Sequence, residues 1–77
     1  MNVQPLSSLQ PGERGVVTTI DIPPEHRGRI LEMGLLPGTT LEMVRYAPLG
    51  DPVEIRVRGY HLSLRRHEAD RVMVRQP

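Results

Sequence analysis

Residues 29–45 read RILEMGLLPGTTLEMVR, and this stretch carries the chain from a helix through a turn into a strand. Gly34 follows a run of good helix formers, and glycine ends helices because it adopts the left-handed conformation without a Cβ clash. Pro37 presets its own φ for a turn, and Gly38 supplies the positive φ that a type II turn requires next. We therefore predict that Gly34, Pro37 and Gly38 are structural turn residues that fix the angle between helix and strand.

The helix has recognisable signals at both ends. Pro24 suits the first helical position, and Glu25 places a negative charge where the helix dipole favours one. With Gly34 just past the helix, Ile30 and Leu35 become the two residues that make the apolar contact of a Schellman motif. The sequence therefore predicts one helix that ends in this motif.

Strands are predicted on both sides of the helix by the alternation of apolar and polar residues. The first runs from Arg14 to Asp21, with Val16, Thr18 and Ile20 on one face, and an ordered segment leads into it. The remaining strands are marked by Leu41 and Met43, by Val53, Ile55 and Val57, by Leu62 and Leu64, and by Val72 and Val74, with one helical turn at 66–70.

The hairpin in the second half of the chain has a predicted register. Gly59-Tyr60 fits a two-residue type II′ turn with glycine at the first central position, which makes Gly59 a fourth structural turn residue. The predicted pairs are Arg58 with His61, Val57 with Leu62, Arg56 with Ser63, Ile55 with Leu64, and Glu54 with Arg65. This register collects apolar pairs on one face and polar pairs on the other, which a slip by one residue would destroy.

Five short strands and one helix predict a mainly β fold, a small barrel whose closure would remove exposed edges. The length of 77 residues predicts a single domain that spans residues 1–77. The core is expected to be aliphatic, because Tyr46 and Tyr60 are the only aromatic residues.

Composition and charge disfavour several classes of function. Ten arginines and nine acidic residues are interspersed and give a net charge of +1, whereas a nucleic-acid-binding protein more often has a one-sided excess of base. Two tyrosines cannot line the aromatic groove that reads polyproline or single-stranded bases. The chain has no cysteine and none of the common nucleophile or phosphate-binding motifs. We therefore expect a non-enzymatic protein that does not bind nucleic acid.

A loop between two predicted strands is the first candidate contact surface for a partner. Conformationally special residues on a loop held by a rigid scaffold often carry binding function. The same loop also fits a plain turn, in which the aspartate caps its own backbone and the second proline ends strand pairing. The candidate residues, with the glycine and aspartate expected at the tip, are Leu49, Gly50, Asp51 and Pro52.

The outer face of the predicted hairpin is the second candidate. Arg56, Arg58 and Arg65 would lie together there and could receive an acidic partner, because the arginine fork pairs well with carboxylates. A solvated face that Glu54 partly neutralises is the alternative explanation.

Metal binding has weaker support in the residue pattern. His26, His61 and His67 are the only imidazoles, and no two of them are spaced three or four residues apart. A metal site needs ligands that converge closely. His67 and Asp70 are the candidate ligands for a weak site for Fe²⁺ or another divalent metal, with a solvated role as the alternative. No other cofactor is expected.

Four segments in combination are similar to one known family: RILEMGLLPGT at 29–39, APLGDPV at 47–53, VRG at 57–59 and LSLRRHEA at 62–69. Together they resemble the FeoA family of small bacterial accessory proteins of ferrous iron transport. The resemblance extends from Leu6 to Val74. It implies an SH3-like five-stranded barrel with one helix between the first and second strands.

The resemblance also implies a function. It implies docking on the cytoplasmic GTPase domain of FeoB, a membrane transporter for ferrous iron, and modulation of transport. A cytoplasmic location follows, with the membrane reached only through this partner, and self-association stays open. The alternative is a barrel that binds and senses a transition metal directly, because a related barrel forms the C-terminal domain of iron-dependent repressors.

Overall fold

A computed structural model describes residues 2–77, which form six β-strands, two α-helices and one 3₁₀ turn. Met1, which the predicted domain 1–77 includes, lies outside the described residues. The elements in chain order are β1 (Val3–Pro5), the 3₁₀ turn (Leu6–Ser8), β2 (Arg14–Ile20), α1 (Pro24–Glu32), β3 (Thr40–Tyr46), β4 (Val53–Val57), β5 (Tyr60–Leu64), α2 (Arg66–Ala69) and β6 (Val72–Arg75). Neither α-helix in residues 2–77 is long and apolar enough to cross a bilayer.

All the strands belong to one antiparallel sheet with the order β1-β6-β2-β3-β4-β5. The strands β1 and β5 are therefore its edges, each with one strand neighbour in the described part of the chain. The mainly β prediction is confirmed, but the sheet has a sixth strand, so α1 lies between the second and third strands. The additional strand is β1, and its three residues, the last of them Pro5, are too few to show an alternating pattern.

The end of α1 has the predicted geometry. Gly34 adopts a φ of 91°, and its N–H donates to the Leu31 carbonyl at 3.0 Å. The Leu35 N–H donates to the Ile30 carbonyl at 3.3 Å. These two bonds form a Schellman motif, and Ile30 and Leu35 are both fully buried.

The turn after the helix connects α1 to the sheet. Gly38 has a φ of 92°, and the Thr39 N–H donates to the Leu36 carbonyl at 3.0 Å, as a type II turn requires. The Gly38 N–H also donates to the Val17 carbonyl on β2 at 2.7 Å. The turn is therefore held by a neighbouring strand as well as by its own closing bond.

The core is aliphatic, as expected, but one strand contributes a different face from the one predicted. The register of β2 against β6 shifts between Val17 and Thr19, which marks a bulge. Val17, with 1% of its surface exposed, belongs to the core, and Ile20 packs against that core after the bulge. The prediction that Val16, Thr18 and Ile20 share one face is wrong, because a bulge adds a residue and changes the phase of the alternation.

The hairpin register differs from the prediction by two residues. Val57 pairs with Tyr60, and Arg58 and Gly59 form the turn with φ values of 52° and 87°. Positive φ at both central positions is a type I′ turn, whose twist matches that of the flanking strands. The predicted Gly59-Tyr60 turn is therefore wrong, and so are the pairs that depend on it. A slip by two residues keeps every side chain on its face, so the alternating pattern could not exclude it.

Candidate functional site

The loop between β3 and β4 is closed by its own backbone and presents one apolar side chain. The Gly50 N–H donates to the Ala47 carbonyl at 2.7 Å, and the Ala47 N–H donates to the Pro52 carbonyl at 3.0 Å. Leu49 is 96% exposed. Leu49 is the most exposed of the large apolar side chains in residues 2–77. The turn that the Gly50–Ala47 bond closes has Pro48 and Leu49 at its centre, two residues before the predicted tip at Gly50-Asp51.

Asp51 anchors this loop to α2. Its Oδ1 accepts a hydrogen bond from the Arg66 N–H at 3.0 Å, at the first residue of the helix. The Arg66 guanidinium in turn lies over the Tyr46 ring, 5.8 Å from its centroid. Burial raises the pKa of Tyr46, whose hydroxyl donates to the Ser7 carbonyl at 2.7 Å. The loop is therefore fixed in position by contacts at its base, while Leu49 stays free.

A groove of about 290 Å³ lies beside this loop, at the carboxyl end of β5. It is lined by Arg29, Pro52, Ser63, Leu64 and Arg65. The structure thus brings two predicted contact residues, Pro52 and Arg65, together with an arginine of α1. We call Arg29, Leu49, Asp51, Pro52 and Arg65 the loop-end surface.

One ion pair fixes the wall of this groove. Arg29 Nη1 lies 2.5 Å from Glu68 Oε2, which joins α1 to α2. Partial burial raises the pKa of the Glu68 carboxyl, but hydrogen bonds from Arg29 and from the Arg65 N–H outweigh that effect. The pKa of Glu68 therefore lies below its ordinary value, and the carboxylate stays charged at neutral pH.

The other two predicted arginines lie elsewhere. Arg58 is in the turn at the far end of the β4–β5 hairpin, about 20 Å from Pro52 by the length of the strand between them. Arg56 is on β4 opposite His61, and its Nη2 lies 3.8 Å from Glu42 Oε2. The predicted charge pair between Glu54 and Arg65 is not formed, because the register shift moves Arg65 beyond β5. The three arginines therefore do not form one patch.

The candidate metal ligands are separated as well. The Asp70 carboxylate accepts a hydrogen bond from the Ser7 hydroxyl, on the side of the 3₁₀ turn. His67 lies instead in a second groove, of about 300 Å³, lined by Ile22, Pro23, His26, His67, Glu68 and Arg71. No group of three or more histidine, cysteine or carboxylate side chains in residues 2–77 is arranged to hold a metal ion.

Sequence reasoning did not place Arg66 in this site. The contact between Asp51 and Arg66 joins two segments on either side of the β4–β5 hairpin, and no spacing rule indicates it. The one signal in the sequence is the Gly-Asp-Pro order of the loop. An aspartate between glycine and proline can cap a backbone N–H outside its own turn, which leaves the preceding leucine exposed.

Comparisons with protein families and with curated proteins both point to the same family. A model of the FeoA domain matches residues 4–76. A fusion protein of Fe(2+) transport protein A and Fe(2+) transporter FeoB from Porphyromonas gingivalis is 42% identical over 69 residues, 90% of this chain. This chain spans only 8% of the length of that protein.

Solved structures agree with the fold. The FeoA protein of Chlorobium tepidum is 40% identical, with a TM-score of 0.88, over 95% of this chain and 70% of that one. FeoA of Stenotrophomonas maltophilia, in complex with zinc, is 29% identical, with a TM-score of 0.79, over 94% of this chain and 89% of that one. The latter is described as an SH3 domain protein, so the similarity confirms the SH3-like prediction.

Proposed function

Because this chain belongs to the FeoA family, we propose that it is a non-enzymatic accessory protein of bacterial ferrous iron uptake. It docks on the cytoplasmic GTPase domain of a FeoB-type transporter and modulates transport. It acts in the cytoplasm and meets the membrane only through this partner. The observation that supports this proposal most directly is the Porphyromonas gingivalis relative, in which a segment similar to this chain and FeoB are parts of one protein.

Covalent fusion has a clear physical consequence for the two parts. Linking two binding partners converts their encounter into an intramolecular event with a high effective concentration. A separate chain must reach the same complex by its own affinity. We therefore expect this chain to have a specific contact surface for the transporter domain.

The loop-end surface has the properties that such a contact needs. Leu49 is 96% exposed on a loop that Asp51 holds in place, so it can insert into an apolar pocket with little loss of backbone entropy. Arg65, which forms none of the ion pairs of residues 2–77, lines the groove next to this loop and can meet a carboxylate at the rim. A few residues that are fully buried at the centre of an interface usually carry most of its binding energy, and an exposed side chain on a fixed loop is suited to become one of them.

Modulation requires a difference in affinity. A partner that binds all nucleotide states of a GTPase domain equally well shifts no equilibrium between them. The accessory protein must therefore bind one nucleotide state more tightly than the others. Its loop-end surface would contact a part of the GTPase domain whose conformation differs between those states.

Calorimetric titration against the isolated cytoplasmic domain tests the proposal. The domain is loaded with GDP, with a non-hydrolysable GTP analogue, or with no nucleotide, and Leu49→Ala is compared with Leu36→Ala. Both leucines are exposed in a proline-glycine segment, but only Leu49 lies in the loop-end surface. We expect Leu49→Ala to raise Kd about tenfold or more and Leu36→Ala to leave it unchanged. Absence of binding in every nucleotide state would refute the docking.

Arg58→Ala and Asp51→Ala extend this test to the two ends of the hairpin. Weaker binding of both variants would mean that the contact spans the hairpin, whereas an effect of Asp51→Ala alone would confine it to the loop-end surface. Unchanged Kd for both would remove these residues from the contact.

A second candidate function is direct binding of a transition metal. The Stenotrophomonas maltophilia relative was crystallised with zinc, and His26 and His67 line one groove here. Titration of this chain with Zn²⁺ and Fe²⁺ tests it. One-to-one binding below about 1 μM that His67→Ala abolishes would support this function, and binding unchanged by His67→Ala or Asp70→Ala would exclude those ligands.

A further inference from the structure

The two edges of the sheet differ in how well they are protected from pairing with another chain. The strand β1 has only three residues and ends in Pro5, two features that blunt an edge. The strand β5 has five residues, Tyr-His-Leu-Ser-Leu, without proline and without a fixed charge. Its pairing with β4 has no bulge. The β5 strand therefore lacks the short length, proline, fixed charge and bulge that blunt an edge.

The register identifies which backbone groups this edge offers. In a two-residue turn the flanking residues exchange hydrogen bonds, so Val57 and Tyr60 form a hydrogen-bonded pair. Such pairs alternate along an antiparallel ladder. His61 and Ser63 are therefore in the intervening positions, where the N–H and C=O groups point away from β4. Within residues 2–77 these groups have no strand on that side.

Positive charge brackets the same edge. Arg58 precedes β5 and Arg65 follows it. The ion pairs of residues 2–77 involve other arginines, and none uses Arg58 or Arg65. Arg29 lines the groove beside Ser63 at the Arg65 end, but Glu68 balances its charge, so Arg65 is the arginine available there. Arg58 and Arg65, which do not share a patch, thus lie at the two ends of one edge strand.

We propose that the β5 edge binds one extended segment of a partner protein as an added strand, through the backbone groups of His61 and Ser63, with an acidic residue of that segment at Arg58 and another at Arg65. Main-chain hydrogen bonds supply the affinity in this mode of recognition, and side chains at the ends supply the specificity. The identity of the partner in this inference rests on the proposed docking. The kind of segment that binds, extended and with acidic ends, is inferred from the β5 edge.

Charge also argues against a second copy of this chain as the occupant. Two β5 strands paired antiparallel about Leu62 would place Arg65 of each copy beside the Arg58 turn of the other. Like charges directly opposite each other on paired strands are destabilising. A segment with acidic ends makes the opposite contacts and satisfies both arginines.

Amide exchange in the intact chain tests the proposal. The probe is a pool of capped heptapeptides with glutamate at both ends and valine, threonine, isoleucine or tyrosine between, and the control pool has lysine at both ends. We expect the glutamate pool at millimolar concentration to slow exchange of the His61 and Ser63 amides at least twofold, with no change from the lysine pool. Unchanged exchange, or an equal effect of both pools, would overturn the proposal. So would protection that rises with protein concentration alone, since it would show pairing between copies.

Ser63→Pro provides the matching variant. Proline is tolerated on an edge strand where its missing N–H faces solvent, and Ser63→Ala keeps that N–H as a control. Only the proline variant should lose peptide binding. If Ser63→Pro does not fold, Arg65→Glu replaces it and should abolish the preference between the two pools, because Arg58 still favours glutamate while Glu at position 65 favours lysine. An unchanged preference would overturn the proposal.

The same exchange measurement on the complex with the transporter domain separates the two proposals. Binding of the domain with both amides still exchanging freely would overturn the edge inference and leave the docking intact. Protection by the glutamate pool without any binding of the domain would refute the docking and leave the edge inference intact.

Discussion

The turn after α1 and the loop after β3 are built from the same kinds of residue and serve opposite purposes. Both combine leucine, proline and glycine, in Leu35–Thr39 and in Ala47–Pro52. Leu35 is fully buried, whereas Leu49 is 96% exposed. Composition alone therefore does not separate a structural turn from a surface that presents a side chain.

The destination of the backbone hydrogen bonds does separate them. The Gly38 N–H reaches across to the Val17 carbonyl on β2 at 2.7 Å. The Gly50 N–H bonds instead to the Ala47 carbonyl within its own loop, also at 2.7 Å. The first segment is thus part of the sheet, while the second closes on itself and leaves its leucine outside. Substitutions should therefore affect stability in the first and binding in the second.

The largest contrast is expected from truncating the two leucines. Leu35→Ala should lower the free energy of unfolding by about 3 kcal/mol, because it removes a fully buried side chain and leaves a cavity. Leu49→Ala should change it by less than about 0.5 kcal/mol. Urea unfolding followed by circular dichroism measures both values.

If Leu35→Ala does not fold, Leu35→Val reduces the loss to about 1 kcal/mol and keeps the comparison measurable. A loss in Leu49→Ala as large as that in the Leu35 variant would show that the loop leucine packs against the protein in solution. The assignment of Leu49 to a contact surface would then be wrong.

A smaller contrast is expected from adding a methyl group at glycines in the two segments. Gly34→Ala places a Cβ at a φ of 91° and 2.9 Å from the Tyr60 hydroxyl, which donates to Met33, and should cost about 2 kcal/mol. Gly50→Ala also places a Cβ at a positive φ, of 85°, but meets only the end of the flexible Arg66 side chain, so it should cost about 1 kcal/mol.

Gly28→Ala is the matched control for this pair. Gly28 lies inside α1, and an added Cβ there has no neighbour within 4 Å. Alanine has the higher helix propensity, so this variant should gain about 0.5–1 kcal/mol. A loss in Gly28→Ala would show that the thermal or urea measurement reports something other than local backbone preference.

These glycines also show how much of the fold the sequence could predict. The Schellman motif and the type II turn were predicted because each depends on a few neighbouring residues whose backbone preferences are strong. The hairpin register was predicted two residues away from its position, because the alternation of Val53, Ile55 and Val57 is the same after an even slip. The bulge in β2 left no local signal.

The candidate site was predicted only in part, for a related reason. The loop was identified because glycine and proline mark it in the sequence. The hydrogen bond from Arg66 to Asp51 and the position of Arg29 near Pro52 both depend on how separate elements pack. Neither the spacing nor the charge of these residues indicates such contacts. The patch of three arginines was expected from the alternation, which places side chains on one face of a hairpin but does not bring its two ends together. Arg58 and Arg65 lie at opposite ends, so the structure separates them.

The anchor of the loop should contribute about as much as its glycine, Gly50. Asp51→Ala removes the acceptor for the Arg66 N–H at the start of α2 and should cost about 1 kcal/mol. Asp51→Asn keeps a side-chain oxygen in the same place and should cost a few tenths of that amount at most. Thermal unfolding of the two variants measures the difference, and an equal loss in both would show that the negative charge, not the acceptor, is what α2 requires.

The smallest effect is expected at the base of the loop, where an ion pair joins β3 to β4. Arg45 donates from Nε to Glu54 Oε2 at 3.0 Å and from Nη2 to Oε1 at 3.2 Å. This hydrogen bonding holds the pKa of Glu54 below its ordinary value of 4.5. A lowered pKa in the folded state means that the pair stabilises the protein above the unfolded pKa. That contribution is lost as the pH falls through the folded value.

Glu54→Gln should therefore have a slightly lower Tm than the unaltered chain at pH 7, since exposed ion pairs contribute little. The difference should shrink as the pH falls below about 4.5 and vanish once the pH is below the lowered pKa of folded Glu54, where the side chain is protonated and can no longer pair with Arg45 as an anion. Glu42→Gln, at the looser contact of 3.8 Å with Arg56, is the control and should show a smaller difference at pH 7. A Tm difference for Glu54→Gln that persists unchanged below the folded pKa of Glu54 would mean that the glutamine disturbs packing. The ion pair would then have no part in holding the base of the loop.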